Sequence, residues 1–144
     1  TPWQEKVFEF WKEFGTFLEE KKFDFKKPKP STSLWMGYGV GKSGAGLSVN
    51  LTKTGVMVYI GVDTNAHPDW FDLLHEKRTV IEEKLGFSLE WQERKNNKHS
   101  YIVVKRSANP EEKDSWDDIF KWLAPKMSAM RSVFRPHIQE LPSE

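Results

Sequence analysis

The sequence predicts a single α+β domain spanning residues 1–144, in which a five-stranded antiparallel sheet carries helices mainly on one of its faces. Three observations lead to this prediction. Apolar residues recur at steps of three and four near the start, in the middle and near the end of the chain, which indicates amphipathic helices. The stretches between them alternate apolar with polar residues, as half-buried strands do. Short connections make successive strands antiparallel neighbours, in the order α-β-β-β-α-β-β-α.

The first element is a helix predicted from Pro2 to about Lys21. Proline suits the first helical turn, because the N–H that it lacks would have no partner there. The apolar residues form one wide stripe on this helix, made of Trp3, Val7, Phe10, Trp11, Phe14, Phe17 and Leu18. An extended basic linker, residues 23–31, follows, and its prolines Pro28 and Pro30 exclude further helix.

Three strands are predicted next, at Trp35–Val40, Leu47–Thr52 and Val56–Val62. Two tight connections separate them, Gly41–Gly44 and Lys53–Gly55, so the strands form an antiparallel meander. Alternate residues of the third strand share one apolar face, namely Val56, Val58, Ile60 and Val62.

A second helix is predicted from about Asp69 to Leu85, where Gly86 favours a helix end. Two further strands, Phe87–Gln92 and Tyr101–Val104, then form a second hairpin around a polar turn.

The last helix is predicted to follow Asp114-Ser115, which can cap it, and to run to about Ile138. Pro125 lies inside its apolar pattern. Because proline removes an intrahelical hydrogen bond and crowds the preceding turn, we expect a kink or a break near Ala124.

The composition of the chain excludes several kinds of site and of binding partner. The chain has no cysteine, which excludes disulfides, Cys-bound zinc and a thiol nucleophile and is typical of a reducing compartment, so we expect a cytoplasmic protein. No apolar run approaches the roughly 20 residues of a membrane helix, and no membrane partner is expected. The 22 basic and 21 acidic residues give a net charge of +1, so nucleic-acid contact would need a local patch. The chain begins at Thr1, as expected of a processed protein or a piece of a longer one.

The stretch Gly37-Tyr38-Gly39-Val40-Gly41-Lys42-Ser43 resembles a phosphate-binding loop. Such a loop requires Gly-x-x-x-x-Gly-Lys-Ser/Thr between a strand and a helix. Here Met36 occupies the position of the first glycine, and a β-alternating run follows the motif instead of a helix. We therefore interpret the stretch as a strand and a hairpin turn, and we expect no cofactor.

Other catalytic patterns in the chain are weak as well. Glu93-Arg94-Lys95 matches the Glu-x-Lys tripeptide of restriction-type nucleases, but the same spacing recurs in helices and loops of this charge-rich chain. The four histidines lie in different elements, and none forms the i, i+4 pair of a helical zinc site. No Gly-x-Ser-x-Gly elbow is present. We assign no catalytic residue and no metal ligand, and a metal-dependent nuclease ranks third among the hypotheses.

Basic clusters are the first candidate binding feature. They occur in the linker after the first helix, at the second hairpin turn and on the last helix. Solvated faces and turns would produce the same clusters in a chain of near-neutral charge. The residues that we expect to contact nucleic acid are Arg94, Lys95, Lys98, Arg106 and Lys42.

A face of the sheet is the second candidate. Trp35, Asn50 and Tyr59 fall on one side of the predicted strands, with Ser48, Glu90 and Gln92. If no helix covers this mixed polar and aromatic face, it can bind a partner or stack bases. If the third strand is covered, Tyr59 belongs to the core.

Several motifs along the chain resemble one prokaryotic family. They are Phe8-Glu9-Phe10-Trp11, Trp35 ahead of Val40-Gly41-Lys42-Ser43-Gly44, Phe71-Asp72-Leu73-Leu74, Leu85-Gly86-Phe87-Ser88-Leu89-Glu90-Trp91-Gln92-Glu93, Trp116, and Val133-Phe134-Arg135-Pro136. The chain resembles an uncharacterised domain-of-unknown-function family, whose members are often found C-terminal to modules that look like restriction endonucleases. The motifs are mostly structural aromatics and turns, so the resemblance implies no active site.

The resemblance implies an accessory module in DNA-related, restriction-modification or phage-defence proteins. Our first hypothesis is a non-catalytic domain that contacts DNA through a local basic patch. The alternative is a protein-interaction or dimerisation module. The expected partners are accordingly DNA, an attached or separate nuclease-like module, and a second copy of the chain.

Overall fold

The computed structural model describes residues 1–143. Within them the helices are α1 (Pro2–Glu20), α2 (Trp70–Glu76), α3 (Arg78–Leu85) and α4 (Trp116–Gln139), the last preceded by a 3₁₀ turn, Lys113–Ser115. The strands are β1 (Trp35–Gly39), β2 (Ala45–Leu51), β3 (Gly55–Asp63), β4 (Glu90–Gln92) and β5 (His99–Ser107). They form one antiparallel sheet in the order β1-β2-β3-β5-β4. The predicted α+β class and element order are confirmed.

A capping box holds the start of α1. The Gln4 N–H donates to the Thr1 hydroxyl at 3.2 Å, and the Thr1 amino group donates to the Gln4 side chain at 3.1 Å. Pro2 follows in the first turn, as predicted. The Trp11 indole N–H donates to the Ser33 carbonyl at 2.8 Å, which holds the linker against the helix.

The core lies between the helices and one face of the sheet. Burial alternates along β2 and β3, so every second residue faces the helices. The rings of α1 and α4 meet there, and Phe10 packs against Trp116 and Phe120 with centroids 5.4 and 5.1 Å apart. Burial of this apolar surface is the main contribution that favours the fold. Fully buried sheet residues include Leu47, Val49, Leu51, Val58, Ile60, Val62 and Ile102.

The predicted helix from Asp69 to Leu85 is divided at Lys77, which has φ −98° and ψ 9°. The Lys77 N–H donates to the Leu74 carbonyl at 2.9 Å, an i→i−3 bond that tightens the end of α2. The Arg78 guanidinium donates to the His75 carbonyl at 3.0 Å. The Arg78 side chain thus satisfies a carbonyl that the division of the helix leaves without a helical partner. The apolar pattern alone does not reveal this division.

Of the kink or break expected near Ala124, the break does not occur, since α4 continues from Trp116 to Gln139 with Pro125 inside it. Pro125 has no N–H to donate to the Lys121 carbonyl, four residues earlier in the helix. Both residues lie on the exposed side of the helix. Water can solvate that carbonyl, so the helix tolerates the proline.

β4 is shorter than the predicted strand Phe87–Gln92. The Leu89 N–H donates to the Glu82 carboxylate at 2.8 Å, and the Trp91 indole N–H donates to the same oxygen at 3.1 Å. The segment before β4 is therefore bound to α3 through Glu82 and does not pair with β5.

Candidate functional site

The sheet face opposite the helices is open. A Cβ added at Gly39 or Gly46 would meet no atom within 4 Å, which shows that nothing packs over these positions. Trp35, on the same face, is 56% exposed. We call this surface the open face. Its side chains belong to Trp35, Ser48, Asn50, Met57, Tyr59, Glu90, Gln92, His99, Tyr101, Val103 and Lys105.

The strand register places glycines in one row across the open face. Gly39 lies opposite Gly46, Gly46 opposite Gly61, and Gly61 opposite Tyr101. Since glycine has no side chain, Gly46 and Gly61 of this row form part of the floor of a shallow groove of about 610 Å³. Trp35, Tyr59 and Tyr101 also line this groove.

Aromatic rings cluster beside the glycine row. The Tyr101 ring meets the Tyr59 ring edge to face at 5.2 Å, and the His99 ring lies nearly parallel to Tyr101 at 6.3 Å. Tyr59 and Tyr101 both lie against Gly61, within 4.0 Å of where its Cβ would be. Burial raises the pKa of Tyr59 above its ordinary value, so its hydroxyl stays protonated at neutral pH.

A second groove of about 380 Å³ continues the first across the face. It shares Trp35, Tyr59 and Tyr101 with the first groove and adds Asn50 and Arg94. The Arg94 guanidinium lies 5.3 Å from the centre of the Tyr101 ring, a distance at which cation and ring attract each other. Aromatic surface and positive charge therefore adjoin along one continuous surface.

The turn between β4 and β5 carries Arg94, Lys95 and Lys98 beside the open face. All three side chains are exposed. The Arg94 N–H donates to the Ser100 hydroxyl at 2.9 Å, and that hydroxyl lies 2.8 Å from the Thr64 hydroxyl in the core. These bonds join the base of the turn to the loop after β3, so the turn has a defined position relative to the groove.

The Asp63 carboxylate lines the first groove together with Lys98 of the turn. The Ala66 N–H donates to the Asp63 carboxylate at 2.9 Å. This bond, together with nearby His99 and Lys98, holds the pKa of Asp63 below its ordinary value. Asp63 is therefore ionised at neutral pH and offsets part of the positive charge of the turn.

The structure separates Arg106 and Lys42 from the other three predicted cations. Arg106 lies on the helix side of the sheet and forms an ion pair with Asp118 at 2.5 Å. Lys42 donates to the Leu141 carbonyl at 2.7 Å, beyond the end of α4. Neither charge is available on the open face.

The open face contains all three residues selected as a partner-binding surface. Trp35 lies opposite Asn50, and Tyr59 lies in the next cross-strand row. The sequence reasoning missed Tyr101 and His99, which belong to the same surface. Residue parity along β5 contains the signal, because Tyr101 and Val103 share a face with the strand partners Gly61 and Tyr59.

The glycine-rich stretch at the end of β1 is a turn, as predicted. Gly41 and Gly44 have φ of +91° and +97°, a backbone conformation that favours glycine. β2 follows directly, and no helix begins there. A Cβ at Gly44 would approach the Trp70 ring to 2.7 Å, so the turn also packs closely on α2.

Neither a metal centre nor a membrane-spanning helix is found within residues 1–143. No group of three His, Asp or Glu side chains in this range is placed to hold a metal ion. Glu93, the carboxylate of the candidate nuclease tripeptide, is exposed at the end of β4. In this same range no helix is both long enough and apolar enough to cross a membrane.

Comparison with known families identifies the domain. The family described as domain of unknown function (DUF4268) matches residues 8–138, which is most of the chain. No curated protein and no solved structure matches the chain. The chain belongs to the DUF4268 family.

Proposed function

We propose that this member of the DUF4268 family is a non-catalytic accessory domain that binds nucleic acid on the open face of its sheet. The accessory role, in a restriction-modification or phage-defence protein with a nuclease-like module, rests on the family resemblance. The binding role rests on the site itself.

The observation that carries the proposal is the placement of exposed aromatic rings beside a basic turn. Trp35 is 56% exposed, and Tyr59 and Tyr101 are half-buried on the same uncovered surface. Arg94 lies over the Tyr101 ring, and Lys95 and Lys98 extend from the same turn. Sheets that display aromatic rings next to cations are a recurring platform for unpaired bases.

Single strands suit this surface better than duplex does. Unpaired bases can lie flat on rings and pack over the glycine row, whereas bases inside a duplex present only their edges. No helix or long loop of residues 1–143 projects from the open face to enter a groove of duplex DNA. The ligand class that we propose is therefore single-stranded or locally unpaired nucleic acid.

The charge of the site sets the expected salt dependence. Three cations on the turn, Arg94, Lys95 and Lys98, are available for phosphate contacts. Each phosphate contact on a single strand contributes about −0.7 to the slope of log K against log salt, so three contacts give a slope of about −2.

Fluorescence anisotropy with a labelled 15-nucleotide oligothymidylate tests the proposal. The Lys95→Glu/Lys98→Glu variant should bind at least about tenfold more weakly and show a shallower salt slope. The Lys77→Glu/Lys84→Glu variant changes net charge by the same amount on exposed positions near α2 and α3 and should bind normally. Full binding by the first variant, or equal weakening of both, would contradict the proposal.

A protein-interaction role is the second candidate, because a tryptophan exposed on an uncovered sheet is typical of interfaces. Its partner would be the nuclease-like module or a second copy of the chain. Light scattering distinguishes the two functions. A dimer that Trp35→Ala dissociates, with no salt-sensitive oligonucleotide binding, would favour the interaction role.

A further inference from the structure

A separate groove of about 500 Å³ lies beside β1, at the edge of the sheet. One side is β1 from Gly37 to Gly39, and the other is the extended segment Phe25–Lys29 that follows α1. Arg131 of α4 completes the lining. We call this the edge groove. The edge groove shares Gly39 with the glycine row of the open face, but no residue of the basic turn lines it.

β1 presents free backbone groups along this edge. The Leu51 N–H donates to the Leu34 carbonyl at 2.7 Å, which makes these two residues a hydrogen-bonded pair. In an antiparallel ladder such pairs alternate with pairs that exchange no hydrogen bonds. The register of β1 on β2 places Gly37 and Gly39 in pairs that exchange no hydrogen bonds. Their N–H and C=O groups therefore point outward, away from β2.

The edge groove leaves room for close approach to this backbone. Phe25–Lys29 forms no backbone hydrogen bond with β1 among residues 1–143, although it lies alongside. A Cβ at Gly39 would meet no atom within 4 Å, and one at Gly37 would meet only Trp35 and Ser48. An added strand lies about 4.8 Å from its neighbour, and glycine allows that approach without side-chain clashes.

Positive charge dominates the rim of the edge groove. Lys26, Lys27, Lys29 and Arg131 line it, and none of its described lining residues carries a carboxylate. The Arg131 guanidinium is held in place, 3.9 Å from the centre of the Phe25 ring. The exposed Asp24 carboxylate, 3.9 Å from Arg131, offsets part of this charge. The remaining positive charge disfavours a basic strand and favours an acidic one.

One residue that lines the edge groove carries a buried polar atom. Tyr38 lines it and is 7% exposed, and its hydroxyl has no hydrogen-bond partner within the described residues. Buried hydroxyls are ordinarily hydrogen-bonded. The Tyr38 hydroxyl is an exception to this rule among the described residues.

We propose that the edge groove binds an extended acidic segment of a partner protein, which adds to β1 as a further strand. The segment exchanges backbone hydrogen bonds with Gly37 and Gly39, and its carboxylates face Lys26, Lys29 and Arg131. Strand addition to a free sheet edge is an established mode of peptide recognition, in which backbone bonds supply affinity and flanking groups supply selectivity.

Fluorescence anisotropy with a labelled decapeptide of alternating Glu and Thr tests this proposal, and the Lys-Thr decapeptide is its charge control. Gly39→Pro removes the outward N–H, whereas Gly39→Ala keeps it and places a Cβ in open space. We expect the proline variant to bind the acidic peptide at least about tenfold more weakly than the alanine variant. Equal binding by the two variants, or no binding to wild type, would overturn the proposal.

Charge reversal separates this site from the open face. Lys26→Glu/Lys29→Glu should lose at least about tenfold in peptide affinity and keep oligothymidylate binding. Lys95→Glu/Lys98→Glu, matched in charge, should keep peptide binding. Loss of oligonucleotide rather than peptide in the first variant would identify the groove as a phosphate site and overturn the proposal.

Hydrogen exchange gives a readout that does not depend on the proline variant. The amides of Gly37 and Gly39 should exchange more slowly in the presence of the acidic peptide, because they become hydrogen-bonded. Unchanged exchange at both amides would show that the peptide does not add to β1. In that outcome the lysines and prolines beside β1 serve only to protect the edge from aggregation.

Discussion

The ring of Tyr101 meets the ring of Tyr59 edge to face on the open face, with centroids 5.2 Å apart and planes at 89°. Each ring restricts the other, and both lie against Gly61. Trp35, on the same face, has no such aromatic neighbour among the ring pairs of residues 1–143 and is 56% exposed. The open face thus combines a fixed tyrosine pair with one accessible indole, and the first prediction concerns that indole.

Trp35→Ala should weaken oligothymidylate binding by roughly 5- to 150-fold, which corresponds to a stacking free energy of about 1–3 kcal/mol per base. Phe8→Ala is the matched control, because Phe8 is an exposed aromatic residue of α1, away from the sheet. Anisotropy titrations measure both affinities. Retention of wild-type affinity by Trp35→Ala would show that bases do not stack on this ring.

Gly44→Ala should lower the free energy of unfolding by about 2–4 kcal/mol. The new Cβ would lie 2.7 Å from the Trp70 ring and 2.9 Å from the His67 ring, at a residue with φ of +97°. Gly46→Ala is the control, since its Cβ meets nothing within 4 Å, and it should change stability by less than about 1 kcal/mol. Urea denaturation compares the two variants, and similar losses in both would contradict the assigned turn.

Glu82→Gln should destabilise the domain by about 1–2 kcal/mol, because hydrogen bonds to a charged acceptor contribute more than those to a neutral one. The Glu82 carboxylate accepts both the Leu89 N–H and the Trp91 indole N–H. Glu83→Gln, on an exposed neighbouring position, should leave the midpoint of urea denaturation unchanged. Indole fluorescence or hydrogen exchange at Leu89 would locate the loss at the contact between α3 and β4.

Tyr38→Phe should leave the free energy of unfolding unchanged at pH 7 or raise it by up to about 1 kcal/mol, because the buried hydroxyl forms no hydrogen bond within the described residues. Burial raises the pKa of Tyr38 above its ordinary value. The folded state therefore favours the neutral phenol, and this contribution is fully present below the unfolded pKa of about 10.

As pH rises above about 10, the unfolded tyrosine ionises first and the wild type loses stability that Tyr38→Phe keeps. Denaturation at pH 7 and pH 11 should show the phenylalanine variant gaining on wild type at the higher pH. A difference in unfolding free energy between the variant and wild type that stays constant with pH would contradict the burial of this hydroxyl. A large loss of stability in the variant at pH 7 would show that the hydroxyl has a hydrogen-bond partner.

Much of the fold followed from local patterns. The alternation along β2 and β3 predicted which side chains face the helices, because a strand places successive residues on opposite faces. Gly41 and Gly44 were recognised as turn residues because the strand–loop–helix context of a phosphate loop is absent, and their positive φ angles agree.

Other features depended on contacts between residues distant in sequence. The apolar pattern continues through Lys77, yet the helix is divided there. Glu82 shortens β4 by accepting hydrogen bonds that a longer strand would direct to its neighbour. Such competition between a side chain and a ladder is a tertiary effect.

The same division applies to the candidate site. Residue types and parity placed Trp35, Asn50 and Tyr59 on one face, but Tyr101 and His99 joined them only through the pairing of β5 with β3. Arg94, Lys95 and Lys98 share one turn and stay together, since their proximity is local. Arg106 and Lys42 lie elsewhere, because strand parity and the end of α4 direct them to other partners.

The sequence by itself determined the class of fold, the order of its elements and which face of each element is apolar, because these depend on periodicities of two and 3.6 residues. The tertiary structure decided which face of the sheet stays open, which cations remain free and that β1 is an edge strand. Those properties depend on strand order and on packing between distant segments, and local periodicity does not encode them.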